Sequence, residues 1–266
     1  MQGRNSSLLW RVTGILSFLS FLLFAAGFVT ALDPQTLAPQ TAPAPSAGPA
    51  GQPSEPPAGT SDTLTMVALG DSLTRGAGDV NGLGYIGLVR QAIEKQHGQK
   101  VILTNLAING SQSFELLNQL DQQQVQRQLA AANLILFTIG GNDLFKQSGG
   151  VYDLDKKKLD QAATTLASNF ENILKEIRSV NSTATILYTA LYDPFANTEA
   201  KADTTPPVLA WNMKAAQIAS RYPGVIIVPT YDLFLQKEQK YLYTDHFHPN
   251  SDGYQRIAER ILQALD

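Results

Sequence analysis

The sequence predicts a three-layer α/β domain over residues 62–266, built on a mainly parallel five-stranded sheet. Five short apolar runs rich in β-branched residues recur along this part of the chain, at residues 64–69, 101–106, 134–139, 184–191 and 225–228. Continuous rather than alternating apolarity is typical of strands that are covered on both faces, as in a parallel sheet. Helical patterns lie between the runs, and strands that alternate with helices indicate a layered α/β fold.

Two of the predicted helices are well marked. Apolar residues recur at steps of three and four over residues 159–177, and the same period returns over residues 254–265 at the C-terminus. This spacing puts the apolar side chains on one face of a helix, which then packs against the sheet. Ligands of such sheets bind beyond the carboxyl ends of the strands, so a functional site is expected there.

The composition restricts the classes of partner. Hydrophobic residues make up 44% of the 266 residues and charged residues 16%, which is enough apolar material for a sizeable core. The formal net charge is −3, so there is no basic surplus for a phosphate backbone, and nucleic acid is not expected as a partner. The chain has no cysteine, which excludes disulfides, thiolate metal sites and a cysteine nucleophile.

Residues 1–32 predict a membrane anchor or a signal peptide. Residues 12–32 carry no charge and follow Arg4 and Arg11. A helix of about 20 apolar residues spans a bilayer, which favours an anchor, whereas the small residues at 29–31 fit a signal-peptidase site. Residues 12–74 contain no Lys or Arg, so the positive-inside rule places the rest of the chain outside the cytoplasm. We expect an extracytoplasmic protein, either anchored to the cytoplasmic membrane or secreted.

Residues 33–61 predict a linker between this segment and the domain. They contain eight of the 14 prolines, with Ala, Gln, Gly, Ser and Thr between them. Such a stretch buries too little apolar surface to offset the loss of chain entropy, and it favours a semi-extended tether.

Four short motifs lie where the strands of the predicted sheet end or where the last helix begins. They are Gly70-Asp71-Ser72-Leu73, Asn109-Gly110, Gly140-Gly141-Asn142-Asp143 and Asp245-His246-Phe247-His248. Each alone has the composition of a common turn or helix cap. Together they bring a serine, a glycine turn, an asparagine and an Asp-x-x-His to one end of one sheet, and this combination is typical of a hydrolase.

The chemistry of a serine hydrolase requires these residue types. A serine hydroxyl becomes a good nucleophile when a neighbouring imidazole accepts its proton. A carboxylate on the other ring nitrogen holds the imidazole in the right tautomer and stabilises the cation that forms. The developing oxyanion needs preorganised donors, which backbone N–H groups and an asparagine amide supply.

On these motifs, residues 64–266 resemble the SGNH hydrolases, also called GDSL-type lipases and esterases. The resemblance implies that Ser72 is the nucleophile and that Asp245 orients the base His248. It also implies that Gly110 and Asn142 form the oxyanion hole with the N–H of Ser72. The segments GDSLTRG at 70–76 and LYDPF at 191–195 are most similar to a bacterial branch of exported esterases. The Gly-x-Ser-x-Gly elbow of the α/β-hydrolase fold is absent, which favours a flavodoxin-like sheet.

Two histidines compete for the role of base. His246 directly follows Asp245, and adjacent residues of an extended segment point in opposite directions. His248 lies three residues after Asp245, where the chain can fold back across a tight turn just before a helix cap at Asn250. The sequence therefore favours His248.

Three alternatives compete with a serine hydrolase. A metallohydrolase would use Asp245, His246 and His248 as ligands, but a two-metal site usually needs more histidines than the three in this chain. A dinucleotide-binding loop would explain Gly-x-Gly-x-x-Gly at 82–87, but that motif should follow a strand directly. A non-catalytic ligand-binding or adhesion module on the same fold would bind without turnover.

The sequence thus predicts a serine esterase or lipase that needs no metal or organic cofactor. The expected substrate is a small-molecule, lipid or glycan ester; the sequence does not choose among them, and it gives no indication of the oligomeric state. Some apolar residues near the motifs are candidates for an acyl site, although core packing is the simpler interpretation of each. They are Leu73, Phe114, Phe145, Phe195 and Phe234.

Overall fold

The computed structural model describes residues 63–146 and 148–266. Five strands form one sheet in the order β2-β1-β3-β4-β5, and every neighbouring pair is parallel. The strands are β1 Thr63–Gly70, β2 Lys100–Asn105, β3 Leu134–Thr138, β4 Thr185–Thr189 and β5 Val225–Val228. The five-stranded α/β prediction is confirmed.

The fourth strand is shorter than the apolar run at 184–191. It ends at Thr189, and two residues later the N–H of Leu191 donates to Asn212 Oδ1 at 3.0 Å. The end of the run thus binds a side chain of a helix and leaves the sheet.

Helices connect the strands and follow the last one. They are α1 Ser72–Arg75, α2 Gly84–His97, α3 Ser113–Leu120, α4 Gln123–Ala130, α5 Gly141–Phe145, α6 Lys156–Val180, α7 Lys201–Ala219, α8 Tyr231–Phe234, α9 Glu238–Tyr241 and α10 Ser251–Leu265. The patterns at 159–177 and 254–265 fall inside α6 and α10, so both predictions are confirmed. The glycine motif at 82–87 leads into α2 and lies well after the end of β1.

The sheet is covered on both faces, which makes the domain three-layered. Strand side chains alternate between two hydrophobic clusters; in β1, for example, Val67 belongs to one cluster and Met66 to the other. The first cluster includes residues of α3, α4, α6 and α7, and the second includes residues of α2 and α10. The interior strands therefore have no solvent-facing side, which explains why their sequences are continuously apolar.

The strand order places the site. The chain continues from β1 to one side of the sheet with β2, and from β3 onward to the other side. Crevices form at such a reversal, outside the carboxyl ends of the strands. Ser72 follows β1 and Asn142 follows β3, and these are neighbouring strands at the reversal.

The predicted N-terminal segments, 1–32 and 33–61, lie outside the described residues. Within residues 63–146 and 148–266, no helix is both long enough and apolar enough to cross a membrane.

The backbones of β1 and β3 are in very close contact at Gly70. Gly70 has φ +107°, and a Cβ added there would lie 1.9 Å from the carbonyl oxygen of Thr138. The N–H of Asp71 donates to the same carbonyl at 3.2 Å. Only glycine allows both the positive φ and this approach.

We predict that Gly70→Ala lowers the free energy of unfolding by more than about 3 kcal/mol, because the methyl group forces the two central strands apart. Gly82→Ala is a matched control: φ is also positive, at +67°, but a Cβ would have no neighbour within 4 Å. It should cost only about 1–2 kcal/mol of backbone strain. Urea denaturation of both variants measures the difference, and equal losses would contradict the steric argument.

Candidate active site

The turn after β1 presents Ser72 at the start of α1. Asp71 caps this helix: its Oδ1 accepts hydrogen bonds from the N–H of Leu73 at 3.0 Å and from Thr138 Oγ1 at 2.6 Å. Ser72 is 7% exposed and is the first helical residue. Its own N–H therefore lies outside the hydrogen-bond ladder of the helix and is free to face a ligand.

The structure brings Ser72, His248 and Asp245 into one line of hydrogen bonds. Ser72 Oγ lies 2.8 Å from His248 Nε2, and His248 Nδ1 lies 2.7 Å from Asp245 Oδ2. The other oxygen of Asp245 accepts from the N–H groups of Phe247 and His248, both at 3.0 Å. The predicted turn that folds His248 back onto Asp245 is thus present. His246 has φ +55° at the centre of this turn.

The charge of Asp245 sets the tautomer of the imidazole. Burial would raise the pKa of Asp245, but the hydrogen bonds from the His248 ring and from two backbone N–H groups outweigh it and hold the pKa below its ordinary value. Asp245 is therefore ionised at neutral pH and accepts the Nδ1–H of His248. The lone pair of Nε2 then faces the hydroxyl of Ser72, as a general base requires.

Two hydrogen bonds hold the segment that carries His248. Tyr192 is buried, and its hydroxyl donates to the carbonyl of Phe247 at 2.6 Å. The N–H of Tyr243 donates to the carbonyl of His248 at 2.7 Å. The predicted helix cap at Asn250 is confirmed, since its side chain accepts from the N–H of Gly253 at 2.9 Å.

Asn142 and Gly110 lie on the two segments that follow β3 and β2. Asn142 is the second residue of α5, and its amide donates to the carbonyl of Ser111 at 3.0 Å. An amide has two hydrogens, so the second remains available to a ligand. Gly110 has φ +75° in the turn after β2, and this turn is tied to β1 by the hydrogen bond from the N–H of Ile108 to the carbonyl of Gly70 at 2.8 Å.

A small apolar cavity of about 40 Å³ opens beside Ser72. It is lined by Asp71, Ser72, Leu73, Gly141, Asn142, Phe145, Leu191, Tyr192, Pro194, Phe195, Val208 and Phe247. Three of the candidate acyl-site residues, Leu73, Phe145 and Phe195, belong to it. Phe234 is instead buried and stacked on Tyr192, with ring centroids 4.1 Å apart. Phe114 is 48% exposed and lines a different cavity.

Within residues 63–146 and 148–266, no group of three or more His, Asp or Glu side chains is arranged to hold a metal ion. The side chains of Asp245 and His248 bond to each other and to Ser72. The geometry gives the metallohydrolase alternative no support.

Residues 68–256 match the model of the GDSL-like Lipase/Acylhydrolase family. The chain belongs to this family. All four motifs, from Gly70 to His248, lie within this match, which covers most of the described residues.

Relatives of this GDSL-family chain include a lipase. This chain is 31% identical over 211 residues to the spore germination lipase LipC of Bacillus licheniformis, and the match covers 76% of this chain and 96% of that protein. It is 35% identical over 211 residues to the uncharacterized protein YpmR of Bacillus subtilis, covering 77% and 83%. The crystal structure of the lipase Lip_vut3 from a goat rumen metagenome has 28% sequence identity and a TM-score of 0.68, covering 76% of this chain and 97% of that one. The chain is a carboxylic ester hydrolase.

The structure also shows residues of this hydrolase that the sequence did not single out. Buried Asp193 accepts hydrogen bonds from the hydroxyls of Thr204 and Thr205 at 3.0 and 2.6 Å, which ties the segment at 191–195 to α7. The side chain of Asn212 accepts from the N–H of Leu191 at 3.0 Å and donates to the carbonyl of Leu191 at 2.8 Å. An acidic residue inside the apolar segment LYDPF was the available signal for Asp193, whereas Asn212 lies in a helix with no distinguishing pattern.

A third such residue, Asp79, connects the loop after α1 to the start of α10. Its carboxylate accepts from Ser251 Oγ at 2.5 Å, three residues after His248. It also accepts from backbone N–H groups of its own loop: Asn81 at 3.1 Å, Leu83 at 2.9 Å and Gly84 at 2.8 Å. Burial would raise the pKa of Asp79, but these hydrogen bonds outweigh it and lower the pKa.

The loop that Asp79 holds lies against the histidine itself. A Cβ added at Gly78 would be 3.0 Å from His248 Cβ and 2.6 Å from the carbonyl oxygen of Pro249. Asp79 therefore links the loop at 76–83 to Ser251, close to the backbone that carries His248.

We predict that Asp79→Asn lowers kcat for ester hydrolysis about tenfold with little change in KM. The reason is that a shift of His248 slows proton transfer from Ser72 and leaves substrate binding unchanged. Asp232→Asn is the matched control. Asp232, in α8, pairs at 2.8 Å with Arg260 of α10. Arg260 lies about 13 Å from Ser251 along the axis of α10. It should leave kcat within about twofold. Steady-state kinetics decides, and an equal loss in both variants would reduce Asp79 to a structural role.

The stability of these two variants should also depend on pH. Hydrogen bonds from Arg260 lower the pKa of Asp232, as the loop lowers that of Asp79. A lowered folded-state pKa stabilises the fold above the unfolded value of about 4 and loses this effect as pH falls through the folded value. The stability deficit of each variant at pH 7 should therefore shrink as the pH falls below about 4.

Proposed function

We propose that the chain is a serine esterase that acts through an acyl-enzyme. The observation that carries the proposal is the unbroken line of hydrogen bonds from Ser72 Oγ through the His248 ring to ionised Asp245. Ser72 Oγ attacks the ester carbonyl carbon while His248 Nε2 accepts the hydroxyl proton. The same proton then passes to the leaving alkoxide, which departs as an alcohol. Water repeats the sequence on the acyl-enzyme and releases the acid.

The oxyanion of each tetrahedral intermediate is stabilised by three donors. They are the N–H groups of Ser72 and Gly110 and the amide of Asn142. Support comes from their placement after the neighbouring strands β1, β2 and β3, and from the hydrogen bond to Ser111 that orients the Asn142 amide. Donors fixed before the reaction stabilise the developing charge without reorganisation.

The acyl group of the ester is short and lies in the apolar cavity beside Ser72. The cavity volume is about 40 Å³. One water molecule, which has a single non-hydrogen atom, needs a cavity volume of about 10–15 Å³. The cavity therefore holds a group of about three non-hydrogen atoms. Acetyl and propionyl esters fit this limit, and the rings of Phe145 and Phe195 exclude water around them.

Ser72→Ala should abolish ester turnover in a folded protein, with a loss in kcat of about 10⁴-fold or more, because it removes the nucleophile. Hydrolysis of p-nitrophenyl acetate measures the loss, and circular dichroism verifies the fold. Turnover above about a tenth of wild type would remove Ser72 from the mechanism.

Further measurements on the wild-type protein separate the competing functions. An organophosphonate should label wild-type Ser72 stoichiometrically, and EDTA should leave turnover unchanged; inactivation by EDTA without a serine adduct would favour a metallohydrolase. Wild-type protein that binds esters without turnover would favour the non-catalytic module.

Asn142→Ala should lower kcat by about 10²–10³ while KM changes little, because the amide donates mainly in the transition state. Asn142→Asp, which keeps the shape and replaces the donor by a carboxylate, should be at least as impaired. A rise in KM with kcat intact would instead make Asn142 a ground-state contact of the substrate.

We further propose that the esterase domain lies outside the cytoplasmic membrane, behind the uncharged segment at 12–32 and the proline-rich segment at 33–61. Protease added to intact, wall-stripped cells should digest the domain, and N-terminal sequencing of the mature chain distinguishes an anchor from a cleaved signal peptide. A domain that is protected until the cells are lysed would contradict export.

A further inference from the structure

Two aromatic side chains connect helix α7 to the turn that carries Asn142. The indole Nε1–H of Trp211, in α7, donates to the hydroxyl of Tyr188, in β4, at 2.8 Å. That hydroxyl donates in turn to the carbonyl of Ile139 at 2.7 Å. Ile139 directly follows β3 and lies three residues before Asn142. A line of hydrogen bonds therefore runs from α7 through β4 to the segment that joins β3 to α5.

Trp211 also packs directly against this segment. Gly140 precedes α5 and has φ +122°. A Cβ added at Gly140 would lie 3.0 Å from Trp211 Nε1 and 3.2 Å from Leu166 Cδ2, so the two side chains leave no room for a larger residue. The indole thus fixes the backbone two residues before Asn142, in addition to the hydrogen bonds through Tyr188.

The two aromatic residues are themselves held in place by packing. Both are buried, and the ring centroid of Phe170 lies 4.8 Å from that of Tyr188 and 5.4 Å from that of Trp211. Burial raises the pKa of Tyr188, so its hydroxyl stays protonated and can donate. An unpaired polar group in such surroundings is destabilising. The pair therefore favours the one position of the Ile139 carbonyl that completes the line of hydrogen bonds.

We propose that Tyr188 and Trp211 are positioning residues for the Asn142 amide, an inference that rests on the proposed esterase function. Their contacts fix where the chain leaves β3, and so where α5 begins. On its other side, the Asn142 amide donates to the carbonyl of Ser111 at 3.0 Å. The second amide hydrogen is aimed at the oxyanion only when both backbone segments are in place.

A second buried tyrosine makes the same kind of hydrogen bond at another part of the site. The hydroxyl of Tyr192 donates to the carbonyl of Phe247 at 2.6 Å, one residue before His248. Tyr188→Phe and Tyr192→Phe are therefore a matched pair. Each removes one buried phenol that donates to one backbone carbonyl, but the first carbonyl leads to the oxyanion donor and the second to the base.

Double-mutant cycles in the full-length protein test the proposal, with p-nitrophenyl acetate as the substrate. Tyr188→Phe should lower kcat about tenfold with little change in KM. In an Asn142→Ala background it should lower kcat less than about twofold, because the donor that it displaces is already absent. Tyr192→Phe acts on His248 and should lower kcat by equal factors in both backgrounds. No loss from Tyr188→Phe, or an equal loss in both backgrounds, would overturn the proposal.

A general loss of stability predicts a different result. Asn181→Ala removes a buried amide that donates to two backbone carbonyls, at 2.7 and 2.8 Å, near the start of β3 and so at the edge of the sheet opposite Ser72. It should leave kcat per folded molecule within about twofold. If circular dichroism shows that Tyr188→Phe does not fold, Trp211→Phe, which removes the indole N–H, replaces it in the same cycle.

A measurement without substrate separates this proposal from the esterase mechanism. In protein isotopically labelled at asparagine, the NMR signal of the Asn142 side-chain amide is identified by its loss in Asn142→Ala. Tyr188→Phe should shift this signal by more than its linewidth, whereas Tyr192→Phe should not. An unmoved signal would overturn the positioning role, even in an active esterase. A shifted signal in a protein that hydrolyses no ester would overturn the esterase mechanism alone.

Discussion

The hydrogen bond from Thr138 to Asp71 connects the two central strands at the candidate active site. Thr138 is the last residue of β3 and Asp71 follows β1, and their side-chain oxygens lie 2.6 Å apart. The chain continues from Asp71 to Ser72, and from Thr138 to the turn that carries Asn142. Because β1 and β3 are neighbouring parallel strands, this contact helps to fix the separation of Ser72 and Asn142. The close approach at Gly70 serves the same geometry.

Thr138 also belongs to a chain of buried hydroxyl groups. Tyr85 lies 2.6 Å from Thr74 Oγ1, which lies 2.8 Å from Thr138 Oγ1. Burial raises the pKa of Asp71, and the hydrogen bonds from Thr138 and the Leu73 N–H oppose the rise. Asp245 has the opposite environment: it is partly exposed and accepts three hydrogen bonds, so its pKa is lowered. The pKa values of the two carboxyl groups therefore shift in opposite directions, although both groups lie beside Ser72 or its hydrogen-bond partner His248.

Much of this arrangement follows from local patterns. Each apolar run contains a strand, and the interior strands β1, β3 and β4 are apolar on both faces because the sheet is covered on both sides. Helices α6 and α10 have the period of an amphipathic helix. The hydrogen-bonded residues Ser72, His248 and Asp245 could be predicted from local patterns for a similar reason. Asp245 and His248 are three residues apart, so their contact needs only a tight turn, and Ser72 follows a strand at the edge where such sheets bind ligands.

By itself, the sequence determined the three-layer class, the number of strands and the choice of His248 over His246 as the partner of Asp245. Only the tertiary structure decided the strand order and the different places of three phenylalanines: Phe195 lines the cavity beside Ser72, Phe234 lies in the core, and Phe114 lines a second cavity. It also decided the contact between Asp79 and Ser251, which are 172 residues apart. Periodicity records whether a side chain is apolar and which face of its own element it occupies. Which distant segment meets that face depends on how the helices pack across the sheet, and no local pattern carries that information.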